Sequence, residues 1–153
     1  TRTVPPGRYP VLVNVARMQS YDERVAYAIV RVADTPPVRW ELALLPGHDA
    51  SELGDDEFFG YGVDSGTGCF MDAFAAERLE ARAAEIGDNQ DLEDEMVKTY
   101  VHTWAWVDFV LDPDTGANVI AFSSGWGDGM YPSYWGLDET GAVVCLVTDF
   151  GVL

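Results

Sequence analysis

The chain has 153 residues, with 26 Asp and Glu against nine Lys and Arg, so its formal net charge is −17. This length fits one domain with a real hydrophobic core, and we treat residues 1–153 as a single domain. Binding to a phosphate backbone or to an anionic membrane needs clustered positive charge, so the composition argues against nucleic acid and membrane as partners.

The first third of the chain has the period-two pattern of β-strands. YPVLVNVARM and RVAYAIVRVAD are rich in β-branched residues placed with period two, and VRWELALL puts Val38, Trp40, Leu42 and Leu44 on one face. The prolines of DTPP separate the second segment from the third. PGHDASELGDDEFFG then predicts a long acidic loop with one helical turn.

Two helices are predicted between residues 73 and 103. The first, AFAAERLEARAAEI, follows Asp72 at the N-cap position, and the second is DLEDEMVKTYVHT. Their apolar positions recur with helical spacing. The stripes are Ala75, Leu79, Ala83 and Ile86 in the first helix, and Leu92, Met96 and Tyr100 in the second.

The last third returns to strands, in two hairpins. WAWVDFVLDPDTGANVIAFSS turns at DPDTGAN, and GMYPSYWGLDETGAVVCLVTDF turns at DETG. Strands, then two helices, then strands indicate an α+β fold. We predict a mainly antiparallel sheet or sandwich with two helices inserted around residues 73–103. Because the sequence starts at Thr1 rather than Met, we expect an upstream segment to be missing.

Cys69 and Cys145 are the two cysteines, too few for a disulfide scaffold. Both stand in apolar, strand-like surroundings, which favours buried thiols. A single disulfide between neighbouring strands is the alternative. Free thiols and the lack of a visible signal peptide predict a cytoplasmic location.

GVDSGTGCFMD, at residues 62–72, is unusually rich in glycine for a strand. If the segment is one extended strand, Asp64, Gly66, Gly68 and Phe70 lie on the same face. Glycines weaken a strand and therefore need a reason. One reason is structural, a bulge or an aromatic ring lying over bare backbone. The other is a ligand that approaches the chain beside the Asp64 carboxylate.

SGWGDGMYPSYWG, at residues 124–136, alternates three glycines with Trp126 and Asp128. Carbonyl and carboxylate oxygens in such a loop could hold a hard cation such as Ca²⁺. The structural alternative is an Asp that caps its own turn while the aromatic rings enter the core. The two segments together give a predicted ligand-binding set: Asp64, Gly66, Trp126, Gly127, Asp128, Gly129 and Tyr131.

Asp149 ends an apolar strand in LVTDFGV, where a charge needs a partner or a function. We therefore predict Asp64, Asp128 and Asp149 as candidate metal ligands. The sequence contains no G-x-S-x-G, P-loop, HExxH or C-x-x-C motif, and no catalytic residue is predicted.

GVDSGTGCFMD, SGWGDGMYPSYWG and LVTDFGV, in this order, closely resemble the signature segments of a bacterial family catalogued as domain of unknown function 4241. The PPGRYPV opening and DDEFFGYGVDSG also resemble that family, so the resemblance covers essentially the whole chain. It implies no activity. The positions that match the family pattern are Asp64, Gly66, Phe70, Asp72, Gly127, Asp128, Gly129, Tyr131 and Asp149.

Two functions are compatible with these observations. The acidity and the aromatic-rich loops favour a non-catalytic binding or interaction module, one form of which neutralises a basic partner such as a nuclease toxin. The alternative is a cation-dependent hydrolase, in which a metal held by the three Asp residues activates a water molecule.

Overall fold

A computed structural model of the chain describes residues 2–19, 21–87 and 90–153, apart from the side chain of Ile86. Nine strands and two helices are found there. The strands are β1 (Val11–Arg17), β2 (Glu23–Arg31), β3 (Arg39–Leu42), β4 (Gly60–Val63), β5 (Thr67–Phe70), β6 (Trp106–Asp112), β7 (Ala117–Ser123), β8 (Gly129–Leu137) and β9 (Val143–Asp149). The helices are α1 (Ala73–Ile86) and α2 (Gln90–Val97).

The strands form two antiparallel sheets. The main sheet has the order β1-β2-β9-β8-β3, and β4 also pairs with β8. The second sheet has the order β5-β7-β6. Both predicted hairpins are present, as β6–β7 and β8–β9. The prediction of an α+β fold with mainly antiparallel strands is confirmed.

Two apolar cores hold these layers together. The first lies between the sheets and includes Val25, Ala28, Phe122 and Phe150, each fully buried. The second lies between the second sheet and the helices. Its buried members are Leu92, Met96, Ala105, Val107, Val119 and Ala121. The second sheet is therefore covered on both faces, by the main sheet on one and by the helices on the other.

The first helix has the predicted bounds and the second is shorter than predicted. The carboxylate of Asp72 caps α1 by accepting a hydrogen bond from the amide of Ala75 at 2.7 Å. Helix α2 ends at Val97, and Tyr100 lies beyond it with 60% of its surface exposed. The predicted stripe of α2 is correct for Leu92 and Met96 and wrong for Tyr100. In α1, Ile86 is a predicted stripe residue whose side chain lies outside the described part.

GVDSGTGCFMD is not one strand. Strand β4 ends at Val63 and β5 begins at Thr67, and Asp64, Ser65 and Gly66 form a turn between them. The two strands belong to different sheets. The prediction that Asp64 and Gly66 share a strand face with Gly68 and Phe70 is therefore wrong, because the backbone leaves extended geometry at Ser65 and Gly66, with φ of 135° and 63°.

Both cysteines are free thiols. Cys145 is buried in the main sheet and Cys69 is half-buried in the second sheet. Burial raises the pKa of both thiols, so neither has the character of an activated thiolate. No helix in the described ranges is long and apolar enough to cross a membrane.

Candidate functional site

The two glycine-rich segments are the two places where the chain passes between the sheets. Residues 64–66 lead from β4 in the main sheet to β5 in the second, and residues 124–128 lead from β7 in the second sheet back to β8. β4 pairs with β8 and β5 pairs with β7, so the two crossings start and finish on neighbouring strands. We call these segments the paired crossings.

The Asp128 carboxylate joins the paired crossings. Its Oδ1 accepts hydrogen bonds from the backbone amides of Ser65 and Gly66, both at 2.8 Å. These amides favour the charged form and lower the pKa of the Asp128 carboxyl. Ser65 has a φ of 135°, a region that favours glycine, so the two bonds hold a strained turn in place.

Three further hydrogen bonds, all accepted by backbone carbonyls, complete the junction. The amide of Ser124 donates to the carbonyl of Gly66 at 2.9 Å, and the Ser124 hydroxyl donates to the carbonyl of Gly127 at 2.8 Å. The Tyr131 hydroxyl donates to that same Gly127 carbonyl at 2.8 Å. The Tyr131 ring packs edge-on against Phe150, with 4.9 Å between ring centroids. Tyr131, predicted to bind a ligand, is thus 8% exposed and bonded within the junction.

Close packing explains two of the glycines. Gly125 has a φ of 51°, and a Cβ added there would lie 2.6 Å from the Cβ of Phe150. At Gly68, an added Cβ would lie 2.8 Å from the hydroxyl of Tyr61 and 3.1 Å from the ring of Phe122. An aromatic ring over bare backbone was one of the structural reasons predicted for the glycines of GVDSGTGCFMD, and Gly68 fits that reason.

Trp126 is the exposed aromatic residue of the paired crossings, with 54% of its surface accessible. Its Nε1 donates to the carbonyl of Gly151 at 3.1 Å. The guanidinium of Arg24 lies 4.5 Å from the centroid of the Trp126 ring, and its Nη1 donates to the carbonyl of Gly125 at 3.1 Å. The loop is therefore fixed to β2 and to the end of β9, and one ring surface remains available for contact.

The predicted site residues are only partly brought together. Gly66 and Gly127 are in contact range, since a Cβ on Gly66 would lie 3.5 Å from the Cα of Gly127. Gly129 begins β8 opposite Val63. Asp64 lies in the turn beside the Ser65 and Gly66 amides that bind Asp128, and it is exposed.

The three carboxylates predicted to bind a metal do not form a cluster. In the described part of the chain, no three His, Cys, Asp or Glu side chains are grouped so that they could hold a metal ion. Asp128 accepts two amide bonds, and Asp149 accepts one from the amide of Gly151 at 2.9 Å. The metal site remains a prediction, and the hydrolase hypothesis, which needs these carboxylates to converge, gains no support.

Sequence reasoning missed Ser65, Ser124 and Arg24. Ser124 is 1% exposed although it is polar, and a serine next to a glycine-rich run gave a weak signal of its role. Arg24 lies about 100 residues away from Trp126 in the sequence, and no local pattern connects them. The alternation of Trp and Asp with glycine singled out residues 124–128, but it did not predict that Asp128 would cap the turn of the other segment rather than its own.

A second feature is the distribution of charge between the layers. Residues 64–128, which include the second sheet and both helices, hold 14 of the 26 carboxylates and three of the nine basic side chains. We call this region the acidic layer. Its three basic residues already pair with acids of the same layer: Arg78 with Asp112, Arg82 with Asp91, and Lys98 with Glu95. The layer thus carries a large uncompensated negative charge.

Comparison with known proteins gives one match. A family model described as "Protein of unknown function (DUF4241)" matches residues 1–148. No curated protein and no solved structure matches the chain.

Proposed function

The chain belongs to the DUF4241 family, and on that premise we propose that it is a binding module, without catalysis, for a basic protein. The observation that carries the proposal is the acidic layer, with 14 carboxylates against three basic side chains that are all paired internally. Such a surface raises the local concentration of a positively charged partner and speeds its association.

The helices present these carboxylates to solvent. Leu92 and Met96 hold α2 against the second sheet, so its acidic side faces outward. The N-cap Asp72 and the buried Ala75 fix α1 in the same way. The exposed carboxylates of the two helices are Glu77, Glu80, Glu85, Glu93, Asp94 and Glu95.

A protein with a cluster of Lys and Arg is the partner class that fits. A nucleic acid would bring its phosphates against carboxylates, which is unfavourable. Neutralisation of a basic enzyme, such as a nuclease toxin, is one form that this function would take. The paired crossings then serve as the frame that joins the sheets, and ligand contact at the exposed Trp126 ring stays a separate prediction.

The test measures binding of an oligolysine peptide by calorimetry, with an oligoglutamate peptide of equal length as the negative probe. The variant Glu77→Gln/Glu80→Gln removes two exposed charges from α1. The matched control, Asp34→Asn/Glu139→Gln, removes two exposed charges outside the acidic layer. Both variants change the net charge equally, so a difference between them reports position rather than total charge.

We expect oligolysine to bind the wild-type chain, to bind the α1 variant several-fold more weakly, and to bind the control almost as well as wild type. Binding should weaken steeply with added salt. Equal affinity of the two variants would contradict the acidic layer as the docking surface. If the α1 variant does bind more weakly than the control, a capture experiment at low salt that retains a basic protein from the source organism would identify the natural partner.

A further inference from the structure

One face of the main sheet carries an apolar row across five strands. The strand pairing places Leu12 of β1 opposite Ile29 of β2, which is opposite Val147 of β9, then Tyr134 of β8 and Leu42 of β3. Neighbouring strands are about 4.8 Å apart, so the row spans about 19 Å. We call this side of the main sheet the open face.

The other layers do not cover this row. The opposite face carries Ala28 and Thr148, which are 0% and 1% exposed and lie toward the second sheet. Both helices pack against the second sheet instead. Leu12 is 41% exposed, and the other four side chains of the row are half-buried, as is usual for the uncovered surface of a sheet. Trp40 extends the same face and is 50% exposed.

The main sheet is less acidic than the rest of the molecule. Residues 1–63 and 129–153, which form the main sheet and the loop between β3 and β4, hold 12 acids and six arginines. The shorter acidic layer, residues 64–128, holds 14 acids and three basic residues. Two copies of a chain with a net charge of −17 repel each other. That repulsion is smallest when they approach through their main sheets, because the two acidic layers then point away from each other.

We propose that the open face binds the open face of a second copy of this chain, giving a two-fold dimer. Two sheets packed face to face lie about 10 Å apart, and their apolar side chains interdigitate. A two-fold axis that runs parallel to the row, midway between the two sheets, places the row of one copy directly over the row of the other. Such a contact is self-complementary, as the symmetry of a dimer requires. The row and Trp40 supply the apolar centre of an interface of ordinary size, about 800 Å² on each copy.

Two charges on the open face fit the same arrangement. Arg31 lies two residues beyond Ile29, and Asp149 lies two residues beyond Val147 on an antiparallel strand, so both share the face of the row but stand on opposite sides of it. The two-fold axis along the row exchanges those two sides. Each Arg31 then comes next to Asp149 of the second copy, offset by one strand. The contact thus pairs opposite charges on both sides of the row.

Sedimentation equilibrium over a range of concentrations tests the proposal. We expect a species of twice the 16.8 kDa chain mass. Leu42→Lys on β3 and Leu12→Lys on β1, the two edge strands of the main sheet, should each weaken the dimer at least tenfold, because a charge enters the apolar row. The control Val110→Lys changes a similarly exposed apolar residue on β6 and should leave the dimer intact. All three variants lower the net negative charge, so general repulsion cannot explain a loss.

A second pair of variants tests the orientation. Arg31→Asp should weaken the dimer because the new carboxylate faces Asp149 of the second copy. Arg39→Asp, an equal charge change on the other face of the sheet, should not. Added salt should strengthen the dimer because it screens the repulsion between two acidic chains. Its effect on binding of the basic partner is the opposite, because there it screens an attraction. Thermal melts of each variant verify folding, and Leu12→Lys decides the matter if Leu42→Lys does not fold. A monomer at all concentrations, or equal effects of Leu12→Lys and Val110→Lys, would overturn the proposal.

Discussion

At the scale of the residue, Asp128 is central because one carboxylate oxygen joins two segments about 60 residues apart. It accepts the amides of Ser65 and Gly66 at a turn whose backbone is strained. The sequence showed an Asp among glycines, a pattern that fits both a cation site and a turn. The choice between them depends on which amides reach the carboxylate, and that is set by the pairing of β4 with β8.

The lowered pKa of Asp128 predicts a pH dependence of stability. A carboxyl whose pKa is lower in the folded state stabilises the fold above its unfolded pKa, about 3.9, and loses that effect as the pH falls through the folded value. Urea unfolding of wild type and Asp128→Asn should therefore differ most near neutral pH and converge in acid. Asp114→Asn, at an exposed hairpin tip, serves as the control. A difference in the free energy of unfolding that grows in acid would contradict the two hydrogen bonds that Asp128 accepts.

Removal of metal tests the remaining prediction for Asp64, Asp128 and Asp149. Because Asp128 already accepts two amide bonds, we expect the melting temperature to be the same after EDTA treatment and after addition of Ca²⁺, Mg²⁺, Mn²⁺ or Zn²⁺. A bound ion would raise the midpoint by mass action. A rise with one ion that Asp128→Asn abolishes would show that the junction does hold a metal.

Gly125→Ala should be strongly destabilising. The new Cβ meets Phe150 at 2.6 Å, and the positive φ adds strain, so we expect a loss of about 2–4 kcal/mol in the free energy of unfolding. Gly47 also has a positive φ, but nothing lies within 4 Å of its added Cβ. Gly47→Ala should therefore cost only about 1 kcal/mol. Similar losses for both would mean that the contact with Phe150 contributes little.

At the scale of the element, the predictions from sequence were best where the signal is local. Period-two alternation and the DPDTGAN and DETG turns gave both C-terminal hairpins, and Asp72 gave the start of α1. The failures involve tertiary contacts. Helix α2 ends at Val97 because the chain turns toward β6, where the Thr99 hydroxyl accepts the Trp106 amide at 3.0 Å. The turn at Ser65 depends on Asp128, which no local pattern reveals.

The N-cap of α1 can be tested directly. Asp72→Ala removes the bond to the Ala75 amide and should lower the free energy of unfolding by about 1 kcal/mol. Asp72→Asn keeps a side-chain acceptor and should lose only a fraction of that. Because α1 covers the second sheet, the loss should appear as a shift of the whole urea transition. Equal losses for both variants would mean that charge, rather than the cap bond, matters here.

At the scale of the whole molecule, the two layers have different surfaces. Composition gave the net charge of −17, and the sequence already showed that the acids are concentrated after residue 40. It could not show that the second sheet and the helices form one acidic layer or that the main sheet leaves a face open, because both follow from the strand order. The proposed functions use the two surfaces separately: the acidic layer for a basic protein and the open face for a second copy.

Hydrogen–deuterium exchange of the chain, with and without the oligolysine peptide, tests the central claim most directly. The proposed function predicts slower exchange in α1 and α2, with no change at residues 64–66 and 124–129. Slower exchange limited to the paired crossings would contradict it, and would make the glycine-rich junction the binding site.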